Sequence, residues 1–258
     1  MDSAAPVTTP RQRRAWLPYW AVLRMDLHDT LRSWLFRSWV LVTLVLCAGY
    51  LLHTIAVHQR SGQPQSAAAM MGQILHFILL AGTTLVILIS AGTISSERET
   101  LADAILCRGI SRYHYFLGKL HARLITVIGS FVVITSAVLL GSALLLSRDL
   151  DWKDSVLCLL LVASLLTIIV CCSVAVSAMV QSTVLGITLV WISVYTFGAA
   201  MLLVPLAGLN LNEWLSRMPM LMRGQLDTTS QWYMLGGCLG LALLIAFAGA
   251  AHFARKDV

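Results

Sequence analysis

Charge is what this sequence has least of. Asp, Glu, Lys and Arg make up 12% of its 258 residues, while hydrophobic residues make up 58%; soluble domains carry about 25% charged and about 45–50% apolar residues. Water is therefore not the main solvent of this chain, and the net charge of +6 reports membrane topology before it reports nucleic acid. Catalytic signatures are missing as well. There is no H-E-x-x-H, no G-x-x-x-x-G-K-[ST] and no serine in a G-x-S-x-G context, and Gly118-Lys119-Leu120 fails the phosphate-loop pattern. Disulfides are excluded by position: Cys47, Cys158, Cys171, Cys172 and Cys238 fall in apolar runs and Cys107 stands apart in a charged loop. Cys171 and Cys172 diverge by about 100° on a helix, with no His at ligand spacing, so they read as buried apolar thiols rather than a metal site.

What the chain does have is length in its apolar runs. A bilayer core about 30 Å thick needs about 20 apolar residues of helix, and six stretches meet that length, at about 38–57, 70–94, 122–146, 155–180, 184–209 and 231–252. A β-barrel would show short alternating segments instead. The charged region before the first run is too long for a signal peptide and no small-residue cleavage site follows, so the N-terminus is expected to stay on the membrane. An even number of spans puts both termini on one side. That side carries thirteen of the eighteen Lys and Arg residues, which predicts cytoplasmic termini and a multi-pass protein of the cytoplasmic (inner) membrane.

The fold class expected is all-α integral membrane: six transmembrane helices preceded by an amphipathic interfacial helix. Residues 1–37 form a basic tail and an elbow helix, in which Trp16, Trp20, Leu23, Leu27, Leu31 and Trp34 recur every three or four residues while Arg24, His28, Asp29 and Arg32 face elsewhere. Residues 38–258 form one transmembrane domain. Its outer loop 210–230 has an apolar face around Pro219, predicting one or two short interfacial helices broken at that proline, with Asn212 as N-cap. Residues 181–183 are so short a link that spans four and five must form a tight hairpin.

Within the spans, Asp, Glu, Lys and Arg are absent except for Arg123, placed at a cytoplasmic edge where it can snorkel. Ion-coupled carriers need charged groups or broken helices at mid-membrane, so that class is disfavoured. His53 and His76 are the titratable exceptions, near the outer ends of spans one and two, and are candidate polar intramembrane groups; a hydrogen bond to a carbonyl is the ordinary role of such a His. Ser164, Ser173, Ser177 and Thr196 read as packing residues. Gly236 and Gly240 form a G-x-x-x-G step, which predicts close helix packing in span six.

The most patterned segment is the loop 95–121. Leu101, Ala104 and Ile105 share a helical face, Ser96 and Glu99 have capping-box spacing, Gly109 supplies a stop, and Ser111 can cap a helix that runs on into span three. A stiff helical loop projecting from a membrane bundle is a platform on which a soluble partner can dock.

The amphipathic first helix, six spans, the run Glu97-Arg98-Glu99-Thr100-Leu101 after span two, Ile110-Ser111-Arg112 followed by Gly118-Lys119, and the terminal Phe253-Ala254-Arg255-Lys256-Asp257 together resemble the permease subunits of the ABC transporter type-2 family, including those of gliding-motility and nitrous-oxide-reductase-maturation exporters. The resemblance covers essentially the whole chain. It implies that Glu97, Arg98, Glu99, Thr100, Leu101, Ser111 and Arg112 lie in or beside helices that couple to two copies of a cytoplasmic ATPase subunit, and that a second permease copy, identical or related, completes the path. ATP and Mg would be bound by the ATPase; this chain would bind no cofactor, catalyse nothing itself and act as an exporter of unidentified substrate. The alternatives from other classes are a non-transporting assembly factor, a membrane-embedded enzyme, or an ion-coupled carrier.

Overall fold

The computed structural model describes residues 16–61, 66–97, 111–146, 149–203 and 211–255, and these are helical with no strand among them. Helix α1, Leu17–Arg32, begins with a proline in its first turn, where a missing N–H costs nothing. It ends at Ser33, whose extended backbone (ψ 138°) turns the chain and whose Oγ accepts the Phe36 N–H at 3.2 Å. The first span therefore starts as α2, Trp34–Ser61, a few residues before position 38, because Ser33 supplies the cap that the sequence pattern did not reveal.

Span two is composite. α3, Ala67–Phe77, is capped by Ser66; a π-helical turn covers Ile78–Gly82; α4 covers Thr83–Ala91; and a short 3-10 turn, Ser95–Glu97, closes it. Ser177 Oγ accepts the N–H groups of both Ile94 and Ser95, at 3.0 and 3.1 Å, so span four ties off donors that the end of span two would otherwise leave bare. The remaining helices are α5, Arg112–Leu145, α6, Trp152–Met179, α7, Thr183–Leu203, α8, Leu211–Met222, and α9, Thr229–Arg255.

Six of these segments are long and apolar enough to cross a membrane, and each contains or overlaps one of the six runs read from the sequence. α6 sits at the centre, packed against α4, α5, α7, α8 and α9. Ser164 and Ser173 hydrogen-bond back to their own helix, which lets their small side chains sit in the core; Thr196 faces outward instead. The core is drawn chiefly from spans two, three and four, with Met71, Leu75, Ile87, Phe116 and Leu161 fully enclosed, and α8 adds Met218 and Met222. α2, α7 and α9 are mostly exposed and apolar, as with Leu44, Phe197 and Phe247, the pattern of a bundle bathed in hydrocarbon.

Two packing expectations are corrected. Pro219 does not break the outer segment: it lies inside the single helix α8, and the helix starts at Leu211, so Asn212 is not its cap. The proline ring fits against Gly72 of α3, where a Cβ would come within 2.8 Å of Pro219 Cγ, so burial of the ring offsets the lost helical bond. The close approach of α9 is also elsewhere. A Cβ on Gly236 or Gly240 would meet nothing within 4 Å, whereas one on Gly249 would lie 2.8 Å from Ala175 Cβ and 3.1 Å from Phe116; the G-x-x-x-G step points away from this chain's own bundle.

Candidate functional site

On α5, Tyr115, Lys119 and Arg123 are spaced four residues apart and so share one face. On α1, Val22, Asp26 and Thr30 do the same, and all three are buried. The two faces meet because Gly118 has no side chain: a Cβ there would lie 2.9 Å from Val22 Cγ1. In the seam Lys119 Nζ donates to Asp26 Oδ1 at 2.8 Å, Arg123 Nη1 donates to Thr30 Oγ1, and Arg123 Nη2 lies 3.4 Å from Asp26 Oδ1. Glu97, the last residue of the 3-10 turn, joins from a third direction. Lys119 donates to its Oε1 and Tyr115 donates to its Oε2 at 2.8 Å.

The cluster is electrically closed, with two carboxylates facing an ammonium and a guanidinium. Lys119 is only 2% exposed and Asp26 4%, so each charge depends on the others for the solvation it has lost. Arg123 is shielded in this seam rather than snorkelling outward. At about 1.5 Å per residue the 34 residues of α5 span about 51 Å against a hydrocarbon core of about 30 Å. Its first turns therefore project into the interfacial layer, where such a cluster is tolerable. The end of α9 closes the same face: the Phe253 ring stacks on Tyr115 at 6.2 Å and lies beside Phe116.

Of the residues expected to couple to a partner, Glu97 is held in this cluster, Ser111 is exposed at the start of α5, and Arg112 is half-buried. Ser111 occupies the N-cap position, yet its side chain makes no capping bond. Arg98, Glu99, Thr100 and Leu101 lie outside the described residues. His53 is exposed on α2 and His76 half-buried on α3. The sequence reading missed Asp26, Tyr115, Lys119 and Arg123 as a unit; the two ladders of i, i+4 residues were the available signal, but nothing local says that they face each other.

Two further polar ties lie away from this face. Tyr195 Oη on α7 donates to the Leu80 carbonyl at 2.9 Å, inside the π turn, and pairs with Thr84 Oγ1 at 2.6 Å, linking spans two and five. At the opposite end of the bundle Asp149 accepts from the Ala67 N–H at 3.0 Å and from Ser66 Oγ, while Arg223 reaches Asp149 Oδ2 at 3.2 Å and Ser66 Oγ at 2.6 Å. Burial pushes the Asp149 carboxyl up, but the bonds from Ser66 and the Ala68 and Ala67 N–H groups, with the charge of Arg223, outweigh it and hold it below its ordinary range.

No family model matches the chain, and no curated protein matches it significantly. Six apolar helices long enough to cross a bilayer, with the charged clusters at their ends, define a multi-pass membrane protein.

Proposed function

We propose that this chain is the membrane-spanning permease subunit of an ATP-driven exporter of the ABC type-2 kind, paired with a second permease copy and driven by two copies of a separate cytoplasmic ATPase. The observation that carries the proposal is Glu97. The segment that would meet the ATPase is bounded in sequence by Glu97 and Arg112, and both flanks are built into the bundle: Glu97 through Lys119 and Tyr115, Arg112 as the first residue of the 34-residue helix α5. A displacement of that segment is thus handed to span two, span three and α1 together, which is what force transmission from a soluble motor requires. The Tyr195 tie between spans two and five offers a route for the same movement into α7.

ATP and Mg belong, on this proposal, to the partner, and the chain itself performs no hydrolysis. The test is co-purification of the tagged chain in mild detergent followed by reconstitution: an ATPase bearing a phosphate-binding loop should accompany it, and transport should require that subunit. Transport by liposomes holding this chain alone would overturn the proposal in favour of a carrier.

A further inference from the structure

A groove of about 620 Å³ lies between α2 and α3, lined by Leu46, Cys47, Gly49, Tyr50, Gln73 and Phe77 among others. Its size is that of an ordinary small-ligand site, and its walls are apolar apart from one polar pair. In that pair Tyr50 Oη donates to Gln73 Oε1. Gln73 is exposed, and its amide nitrogen, which carries two N–H donors, has no partner among the described residues. An unspent amide facing hydrocarbon is costly, because lipid tails offer nothing to accept its protons.

Depth narrows what can satisfy it. Ser66 and Ala67 belong to the polar tie with Asp149 and Arg223, which marks the water-facing end of the span. Gln73 lies six residues further along α3, about 9 Å deeper at about 1.5 Å per residue. The headgroup and interfacial layer is about 5–8 Å thick on each side, so the amide stands where a glycerol ester ends and its acyl chain begins. We infer that the α2–α3 groove is a binding site for a membrane phospholipid, with one acyl chain along Leu46 and Phe77 and its ester carbonyl accepting from Gln73 Nε2. Tyr50 holds the amide by its oxygen and so aims its donors at the lipid. The site is independent of whether the chain works with an ATPase.

The full-length chain, reconstituted in phosphatidylcholine, is to be photolabelled with a phosphatidylcholine bearing a diazirine in one acyl chain and, separately, with a diazirine alkane that has no ester, and the adducts mapped by peptide mass. The phospholipid probe should label residues 45–50 and 74–77 above the exposed face of α9. Gln73→Leu should cut that phospholipid labelling about fivefold, the worth of one hydrogen bond, while alkane labelling of the groove stays unchanged and shows that the groove is still formed. Gly49→Leu should block both probes, since a Cβ at Gly49 meets no protein atom within 4 Å and the larger side chain fills the groove without a clash. Labelling no higher than on α9, phospholipid labelling unchanged by Gln73→Leu, equal loss of both probes in that variant, or labelling that survives Gly49→Leu would each overturn the inference.

Discussion

Lys119 of α5 and Asp26 of α1 form an ion pair of 2.8 Å in which both side chains are almost wholly shielded from solvent. The pair pins a helix that precedes the spans to the start of span three, and Lys119 extends the link to Glu97 at the end of span two. Buried pairs of this kind add little net stability over an apolar contact, but removing one partner strands the other.

Lys119→Met should therefore destabilise the protein by about 3–5 kcal/mol, because it leaves Asp26 without its nearest cation in a buried seam. Asp26→Asn should be milder, and the double variant should lose less than the sum of the two, with a coupling of about 0.5–3 kcal/mol. Thermal unfolding in detergent, followed by loss of the monodisperse peak, measures all three. Additive losses would mean that the two residues do not sense each other.

Glu97→Lys should collapse the junction outright by setting two ammonium groups side by side, whereas Glu97→Gln, which keeps an oxygen to accept from Lys119 and Tyr115, should cost much less; exchanging the two charges would not mend the junction, because position 119 also faces Asp26. A charge reversal at Glu97 is thus a folding test, and coupling to a partner has to be probed with Glu97→Gln. If Glu97→Lys is no worse than Glu97→Gln, Lys119 is not Glu97's essential partner.

Gly118→Ala should cost about 1–3 kcal/mol, since its Cβ would press on Val22 Cγ1 from 2.9 Å. Val22→Ala made in the same chain removes that methyl and should return part of the loss. Protease cleavage after Arg24 reads the docking of α1 directly: it should speed up in Gly118→Ala and slow again in the double variant.

Acid should loosen the Asp149 end of the molecule. The Asp149 carboxyl titrates below its ordinary value when folded, so between the folded and unfolded values the unfolded chain binds more protons. The stabilisation is whole above the unfolded value, about 3.9, and disappears as pH falls through the folded one. Asp149→Asn should start less stable at neutral pH and show a flatter acid limb. An identical slope in both proteins between about pH 5 and 2 would remove Asp149 from the outer tie.

Tyr195→Phe should free the Leu80 carbonyl in the π turn and cost about 0.6–1.7 kcal/mol, the range of hydrogen bonds between membrane helices. Amide exchange at Thr84 and in the residues following it should quicken while exchange in α6 stays the same. Uniform protection across span two would show that the tie carries no load.

The six spans were legible because they follow from composition: a run of about 20 apolar residues has few places to go other than a bilayer, and neither π geometry in span two nor the Ser33 break alters that. Helix ends were less legible, since Ser33 and Asp151 cap by hydrogen bonds that depend on backbone geometry. Proximity across the chain was not legible at all. Gly236 and Gly240 carry the packing motif, yet a Cβ on either would meet nothing within 4 Å, while Gly249 makes the close contact, because small residues permit close approach but do not choose a neighbour.

The candidate site divides in the same way. Sequence alone determined that this is a six-span helical chain whose charges are swept to its ends, because hydrocarbon tolerates neither bare backbone nor unpaired charge. It also placed Glu97 beside a patterned loop. Only tertiary structure decided that Glu97 turns inward, to a lysine and a tyrosine of the next span and, through that lysine, to an aspartate ninety-three residues before it. Which ladder of i, i+4 residues faces which is settled when helices pack, and a buried charge can remain charged only where that packing brings its counter-ion within reach.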